Sequence, residues 1–88
     1  MAKAEVTITN SVGLHARPAA QFVQAANKFK SRINVAKDDL KVNAKSIIGV
    51  LSLGAGKGAK IVLEASGEDE AEAVAALKSL IESGFGEH

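Results

Sequence analysis

The residues best equipped for chemistry stand together at Gly13-Leu14-His15-Ala16-Arg17-Pro18, where a loop turns into a helix. An imidazole there lies beside backbone N–H groups that the helix itself does not use, and near the positive end of the helix dipole. Both features stabilise a phosphate-like anion. Neutral imidazole is nucleophilic and available near physiological pH, so the position suits covalent capture of a phosphoryl group. Arg17 adds a guanidinium that can hold phosphate oxygens in pairs, and Gly13 gives the backbone freedom to bring the ring into the open. In an arbitrary chain, His-x-Arg-Pro more often marks a decorated helix start with a solvated Arg, so the surrounding sequence has to decide.

Two further segments compete for attention. Ser46 precedes Ile47-Ile48-Gly49-Val50-Leu51-Ser52-Leu53 and Gly54, which places an N-cap and a C-terminal stop around a short helix. Its apolar residues run nearly all the way round, so some of Ile48, Leu51 and Leu53 are candidates for an exposed, partner-binding patch; a fully buried short helix is the alternative. Ser46 is first a cap, and a hydroxyl at a helix N-terminus is also where an added phosphate is best tolerated. Gly54-Ala55-Gly56-Lys57-Gly58-Ala59 matches G-x-G-x-x-G/A letter for letter, but it follows a helix and enters a strand, the reverse of a dinucleotide site. Neither Ser nor Thr follows Lys57, so the Walker pattern fails too, and the segment reads as a turn.

The elements that must position these residues follow from periodicity. Ala4, Val6 and Ile8 alternate with Glu5, Thr7 and Thr9, a strand with one buried face, and Asn10 to Gly13 breaks it. Ala19, Phe22, Val23, Ala26 and Phe29 recur at helical spacing from Ala16 onward, with Pro18 in the first turn, where its missing N–H costs nothing. Arg32 to Lys37 and Leu40 to Asn43 form a hairpin about Asp38-Asp39. Lys60 to Ser66 alternates once more, and a last helix follows, its start marked by Asp69 with Glu72 as a capping box and its end by Gly84. The order βαββαβα predicts a single α+β domain over 1–88, its helices packed on one face of a mostly antiparallel sheet.

Composition narrows the function classes. With 88 residues, 47% hydrophobic but 3% aromatic, the chain has room for one core, built from Ala, Val, Ile and Leu around three Phe. No Cys, Trp or Tyr is present, which excludes a disulfide framework, a thiolate metal site and nearly any base-stacking platform for nucleic acid. The only other His is His88, so no metal site is expected. The start lacks an apolar signal core and no stretch reaches a membrane span, which points to an unprocessed cytoplasmic protein that engages neither membrane nor nucleic acid. The net charge of +1 hides a split: residues 1–60 carry ten Lys/Arg against Glu5, Asp38 and Asp39, a balance of +7, and residues 61–88 come to −6. A basic portion that holds both His15 and Ser46 suits acidic partners and anions.

Gly13-Leu14-His15-Ala16-Arg17-Pro18-Ala19-Ala20 and Lys45-Ser46-Ile47-Ile48-Gly49-Val50-Leu51-Ser52-Leu53-Gly54 together resemble the active-site signature and the regulatory serine segment of the HPr phosphocarriers of the bacterial phosphoenolpyruvate-dependent sugar phosphotransferase system. The similarity covers essentially the whole chain. It implies an open-faced β-sandwich, four antiparallel strands covered on one side by three helices. It also implies a carrier rather than an enzyme: His15 takes a phosphoryl group on Nδ1 from phosphorylated enzyme I and passes it to sugar-specific IIA components. Arg17 and the helix start at Ala16 and Pro18 would stabilise the charge in transfer, with no metal or cofactor. The Ser46 segment resembles the Gram-positive version, in which an HPr kinase/phosphorylase modifies the serine and the product serves a catabolite control regulator. A mainly regulatory corepressor acting through Ser46 is the alternative function. Leu14, Arg17, Ala20, Ile47, Ile48, Leu51 and Leu53 would form a shared docking patch; relatives often carry Met at 48 and 51, and Ile and Leu adapt less readily to several partners. A carrier that exchanges partners quickly is expected to be a monomer.

Overall fold

A computed structural model describes residues 1–86. The period-two segments are strands β1 (Ala2–Thr7), β2 (Arg32–Lys37), β3 (Leu40–Asn43) and β4 (Lys60–Ser66), and the helical ones are α1 (Ala16–Ala26), α2 (Ile47–Ser52) and α3 (Glu70–Glu82). The βαββαβα order matches the expectation.

β1 starts and stops two residues before the alternation of Ala4 to Thr9 predicted. Regular pairing with β4 runs from Ala2↔Ala65 to Thr7↔Lys60. Ile8 still donates to the Ala59 carbonyl (2.9 Å) and accepts from the Gly58 N–H (2.8 Å). It leaves the ladder because the opposing chain turns at Gly58, whose φ is +88°.

The sheet is antiparallel throughout in the order β1-β4-β2-β3. β4, the last strand made, is inserted between the first two, so β1 and β2 run parallel and α1 is the crossover between them. Val6, Ile33, Val35, Ile61, Leu63 and Ala65 face inward and are buried, and against them lie Phe22 and Ala19 of α1, Val50 of α2 and Leu77 and Ile81 of α3. Phe22 is fully buried; truncating such a ring to Ala costs about 3–5 kcal/mol. The sheet's other face is charged. Glu64 lies between Lys41 (2.8 Å) and Lys3 (3.5 Å), and the hydrogen bond from Lys41, aided by both ammonium charges, holds its carboxyl below the usual carboxylate range.

The capping box expected at Asp69 and Glu72 does not form. Asp69 occupies the N-cap of α3 without a side-chain cap bond. Its carboxylate reaches across to the α1–β2 loop, where it accepts from the Lys30 N–H (2.9 Å), the Ser31 N–H (2.9 Å) and the Ser31 hydroxyl. Glu70 reaches back instead, accepting from the Gly67 N–H at 3.2 Å. α3 runs to Glu82 with Ser83 as its C-cap, and the expected stop follows at once: Gly84, Phe85 and Gly86 all take positive φ and return Phe85 to the core.

Candidate functional site

His15 is the N-cap of α1, with extended backbone (φ −83°, ψ −175°) and no side-chain cap bond. Its carbonyl accepts from the Ala19 N–H at 2.8 Å, which starts the helical ladder. Past the N-cap, the first turn therefore keeps the amides of Ala16 and Arg17 without an intrahelical partner, because Pro18 has no N–H. Neither amide has a hydrogen-bond partner among the described residues. His15, Ala16 and Arg17 are exposed and Pro18 is buried, so the turn is anchored to the core at Pro18 while the residues that carry the unpartnered amides lie at the surface.

The loop before His15 is held from two sides. Gly13 has φ +63°, and a Cβ built on it would lie 2.3 Å from the Ala55 carbonyl and 2.6 Å from the Gly56 Cα. Only glycine permits that approach. It allows the Leu14 N–H to donate to the Ala55 carbonyl at 2.8 Å, while buried Asn10 donates from Nδ2 to the Gly13 carbonyl at 2.9 Å. Asn10 and Ala55 are thus supports of the site that reading the sequence missed: Asn10 looked like part of a strand break, and Ala55 acts through a main-chain atom that its side-chain type does not announce. The glycine-rich turn is a turn, as expected, and it also braces the loop before His15.

Ser46 is the N-cap of α2, and here the cap is made: Oγ accepts from the Gly49 N–H at 3.1 Å and the Ser46 carbonyl from the Val50 N–H at 2.9 Å. Gly49 suits the tight turn, since a Cβ there would stand 3.3 Å from the Asn43 carbonyl. Ile47, Ile48 and Leu51 are exposed at 39%, 78% and 41%. Leu51 and His15 line one shallow hollow of about 220 Å³ with Val12, Leu14 and Ala55, so the helix that begins at Ser46 reaches the histidine through its far end.

The proposed docking patch needs correction at two positions. Leu14 and Leu53 are buried, at 4% and 5% exposure, and belong to the core. Leu53 turns inward one residue past the end of α2, and Leu14 is drawn in by its bond to Ala55. Ala20 is half-buried. The apolar surface is Ile47, Ile48 and Leu51, with Arg17 exposed on α1. Among the described residues no group of three or more His, Asp or Glu is placed to hold a metal ion, and His88 lies outside them. No helix among them is long and apolar enough to cross a membrane.

Comparison with known proteins agrees with the fold. The family model described as "PTS HPr component phosphorylation site" matches residues 2–83. The phosphocarrier protein HPr of Neisseria meningitidis serogroup A is 51% identical over 87 residues, 99% of this chain and 98% of its own. The HPr-like protein Crh of Halalkalibacterium halodurans is 51% identical over 82 residues, 93% of this chain and 98% of its own. A crystal structure of HPr from Thermoanaerobacter tengcongensis superposes with a TM-score of 0.98 at 57% identity, covering 100% of this chain and 99% of that one. The four-stranded antiparallel sheet with three helices is the fold of the HPr structures that this chain superposes on. The chain belongs to the HPr family of the sugar phosphotransferase system.

Proposed function

We propose that His15 is the phosphoacceptor and that it relays a phosphoryl group from phosphorylated enzyme I to sugar-specific IIA components. The observation that carries this is the open start of α1: an exposed imidazole at the N-cap, beside two unpartnered amides and the exposed guanidinium of Arg17. In the first step the Nδ1 lone pair attacks phosphorus, the bond to the donor breaks, and Nδ1–P forms. That requires the ring proton to sit on Nε2. The charge on the phosphoryl oxygens in flight is met by the Ala16 and Arg17 amides and by the guanidinium, donors already aimed outward before the donor arrives. A second in-line displacement on an IIA component returns His15 to its starting state, so the protein carries without a net reaction of its own. Supplying phosphoenolpyruvate and enzyme I should label the protein with an acid-labile phosphohistidine at residue 15. Equal labelling of His15→Ala would refute the assignment.

A second function at Ser46 is favoured by the Crh relatives and by the cap itself. A phosphoryl group added to Oγ would sit over the first amides of α2, which suits modification by an HPr kinase/phosphorylase and recognition by a catabolite control regulator. About two added negative charges on the surface that approaches an acidic donor should slow phosphoryl capture at His15. Ser46→Asp should therefore lower the enzyme I-dependent rate at low salt, and equal rates would count against the coupling. We take the docking surface to be Arg17, Ile47, Ile48 and Leu51, and the working form to be a cytoplasmic monomer; sedimentation at micromolar concentration tests the monomer.

A further inference from the structure

The basic character of residues 1–60 is not all spent near His15. At the opposite end of α1, about 16 Å away by helix rise, lies a hollow of about 560 Å³ lined chiefly by Lys30, Ser31, Arg32, Asn43, Lys45 and Ser66. That volume falls within the range of small-molecule sites. Three lining residues are cationic and none is acidic.

The nearby acids do not neutralise it. Asp69 spends its carboxylate on the Lys30 and Ser31 amides and the Ser31 hydroxyl. Glu68 reaches Lys30 at 3.2 Å, but both side chains are largely exposed, 82% and 71%, and such a pair is loosely held. Arg32 and Lys45 have no acidic partner among the described residues. Lys45 is nevertheless fixed, because its Nζ donates to the Phe29 carbonyl at 2.7 Å, which leaves further N–H bonds to offer. Asn43 is oriented as well: its Oδ1 accepts from the Lys45 N–H at 2.8 Å, so its amide nitrogen is the free donor end. Arg32 is opposite Ser66 in the β2–β4 register, so the two residues share one face of the sheet and both line the hollow.

We propose that this hollow is a second anion site, which takes a small phosphomonoester. A guanidinium and an ammonium match the phosphoryl oxygens. Asn43 and Ser66 offer polar contacts to the hydroxyls of the attached carbon skeleton, which inorganic phosphate lacks. The site is separate from His15 and stands independently of the phosphocarrier role.

The test is a nuclear magnetic resonance titration of the ¹⁵N-labelled full chain with ribose 5-phosphate, and in parallel with inorganic phosphate, at constant ionic strength. Ribose 5-phosphate should shift the amides of Ser31, Arg32, Asn43, Lys45 and Ser66 saturably, and at least fivefold more tightly than inorganic phosphate. Arg32→Gln, an exposed substitution that leaves the core intact, should weaken those shifts at least fivefold while any shifts at Ala16 and Arg17 persist. Equal affinity for the two probes would overturn the phosphomonoester assignment in favour of the free anion. Shifts confined to Ala16 and Arg17, shifts that never saturate, or shifts unchanged in Arg32→Gln would overturn the site.

Discussion

Two helices in this molecule begin with a polar residue and end up with opposite arrangements. At α2 the cap is closed: Ser46 Oγ accepts from the Gly49 N–H, and the turn satisfies itself. At α1 the cap is open: His15 makes no cap bond, Pro18 removes one donor, and the amides of Ala16 and Arg17 are left to solvent. Histidine is a poor cap and serine a good one, so the difference is written in residue type. A helix start that leaves donors unmet gives up local stability and keeps them for a ligand. The α1 start must then be held by something other than its own cap, and that support is the loop packing of Gly13 against Ala55 and Gly56.

The contrast is broken most severely at Gly13. Gly13→Ala forces a left-handed φ on a residue with a Cβ and drives that Cβ into the Ala55 carbonyl. A loss of about 2–4 kcal/mol is expected in urea unfolding, from the backbone conformation and the clash together. Because the displaced segment carries His15, the rate of phosphoryl capture should fall as well. A variant as stable as the parent would show that the loop does not brace the α1 start.

The third helix start extends the comparison, since Asp69 at the α3 N-cap sends its carboxylate to another element altogether. Hydrogen bonds from the Ser31 hydroxyl first, then from the Lys30 and Ser31 amides, hold its carboxyl below the usual carboxylate range. A carboxyl whose folded value is depressed binds its proton more readily when unfolded. Its contribution is therefore present above the ordinary Asp range and is lost as pH falls through the depressed folded value. Thermal unfolding followed from pH 7 downward should show the midpoint falling in acid, and Asp69→Asn should flatten part of that fall while lowering the midpoint at neutral pH. An acid profile identical in the two proteins would remove Asp69 from the account.

Asp69 also shows where the sequence stops being legible. Alternation and helical spacing locate the four strands, α1 and α3, because burial of one face imposes a period on each segment independently, and α2 is located by its Ser46 cap and Gly54 stop. The motif at residues 13–18 is legible because its chemistry is local, a ring and a guanidinium two residues apart on one helix start. Asp69 looked like half of a capping box because Glu72 stands at the right spacing, yet its true partner, Ser31, is 38 residues away. The same limit hid Asn10, which ties down the loop through its side-chain amide, and Ala55, which does so through its carbonyl, and it misplaced Leu14 and Leu53, whose burial depends on where a loop is tied down. The insertion of β4 between β1 and β2 is likewise absent from any local period, because strand order is set by pairing between segments far apart in the chain.

A smaller effect is expected at the closed cap. Ser46→Ala removes the acceptor for the Gly49 N–H and should cost about 1 kcal/mol in urea unfolding. Phosphoryl capture at His15 should stay near the parent rate, since no charge is added. Unchanged stability would mean that the Ser46 cap, although formed, carries no weight.

The smallest effect is the sharpest test of the comparison. If the α1 start is open because it is reserved for a ligand, its side chain contributes almost nothing to the fold. His15→Ala should then lie within about 0.5 kcal/mol of the parent in urea unfolding, the range of an ordinary surface substitution, while phosphoryl acceptance is lost completely. The two helix starts would respond in opposite ways to the same truncation: at Ser46 stability falls and acceptance survives, at His15 acceptance falls and stability survives. A His15→Ala loss as large as that of Ser46→Ala would show that the imidazole supports the helix after all, and the division between a structural cap and a chemical one would fail.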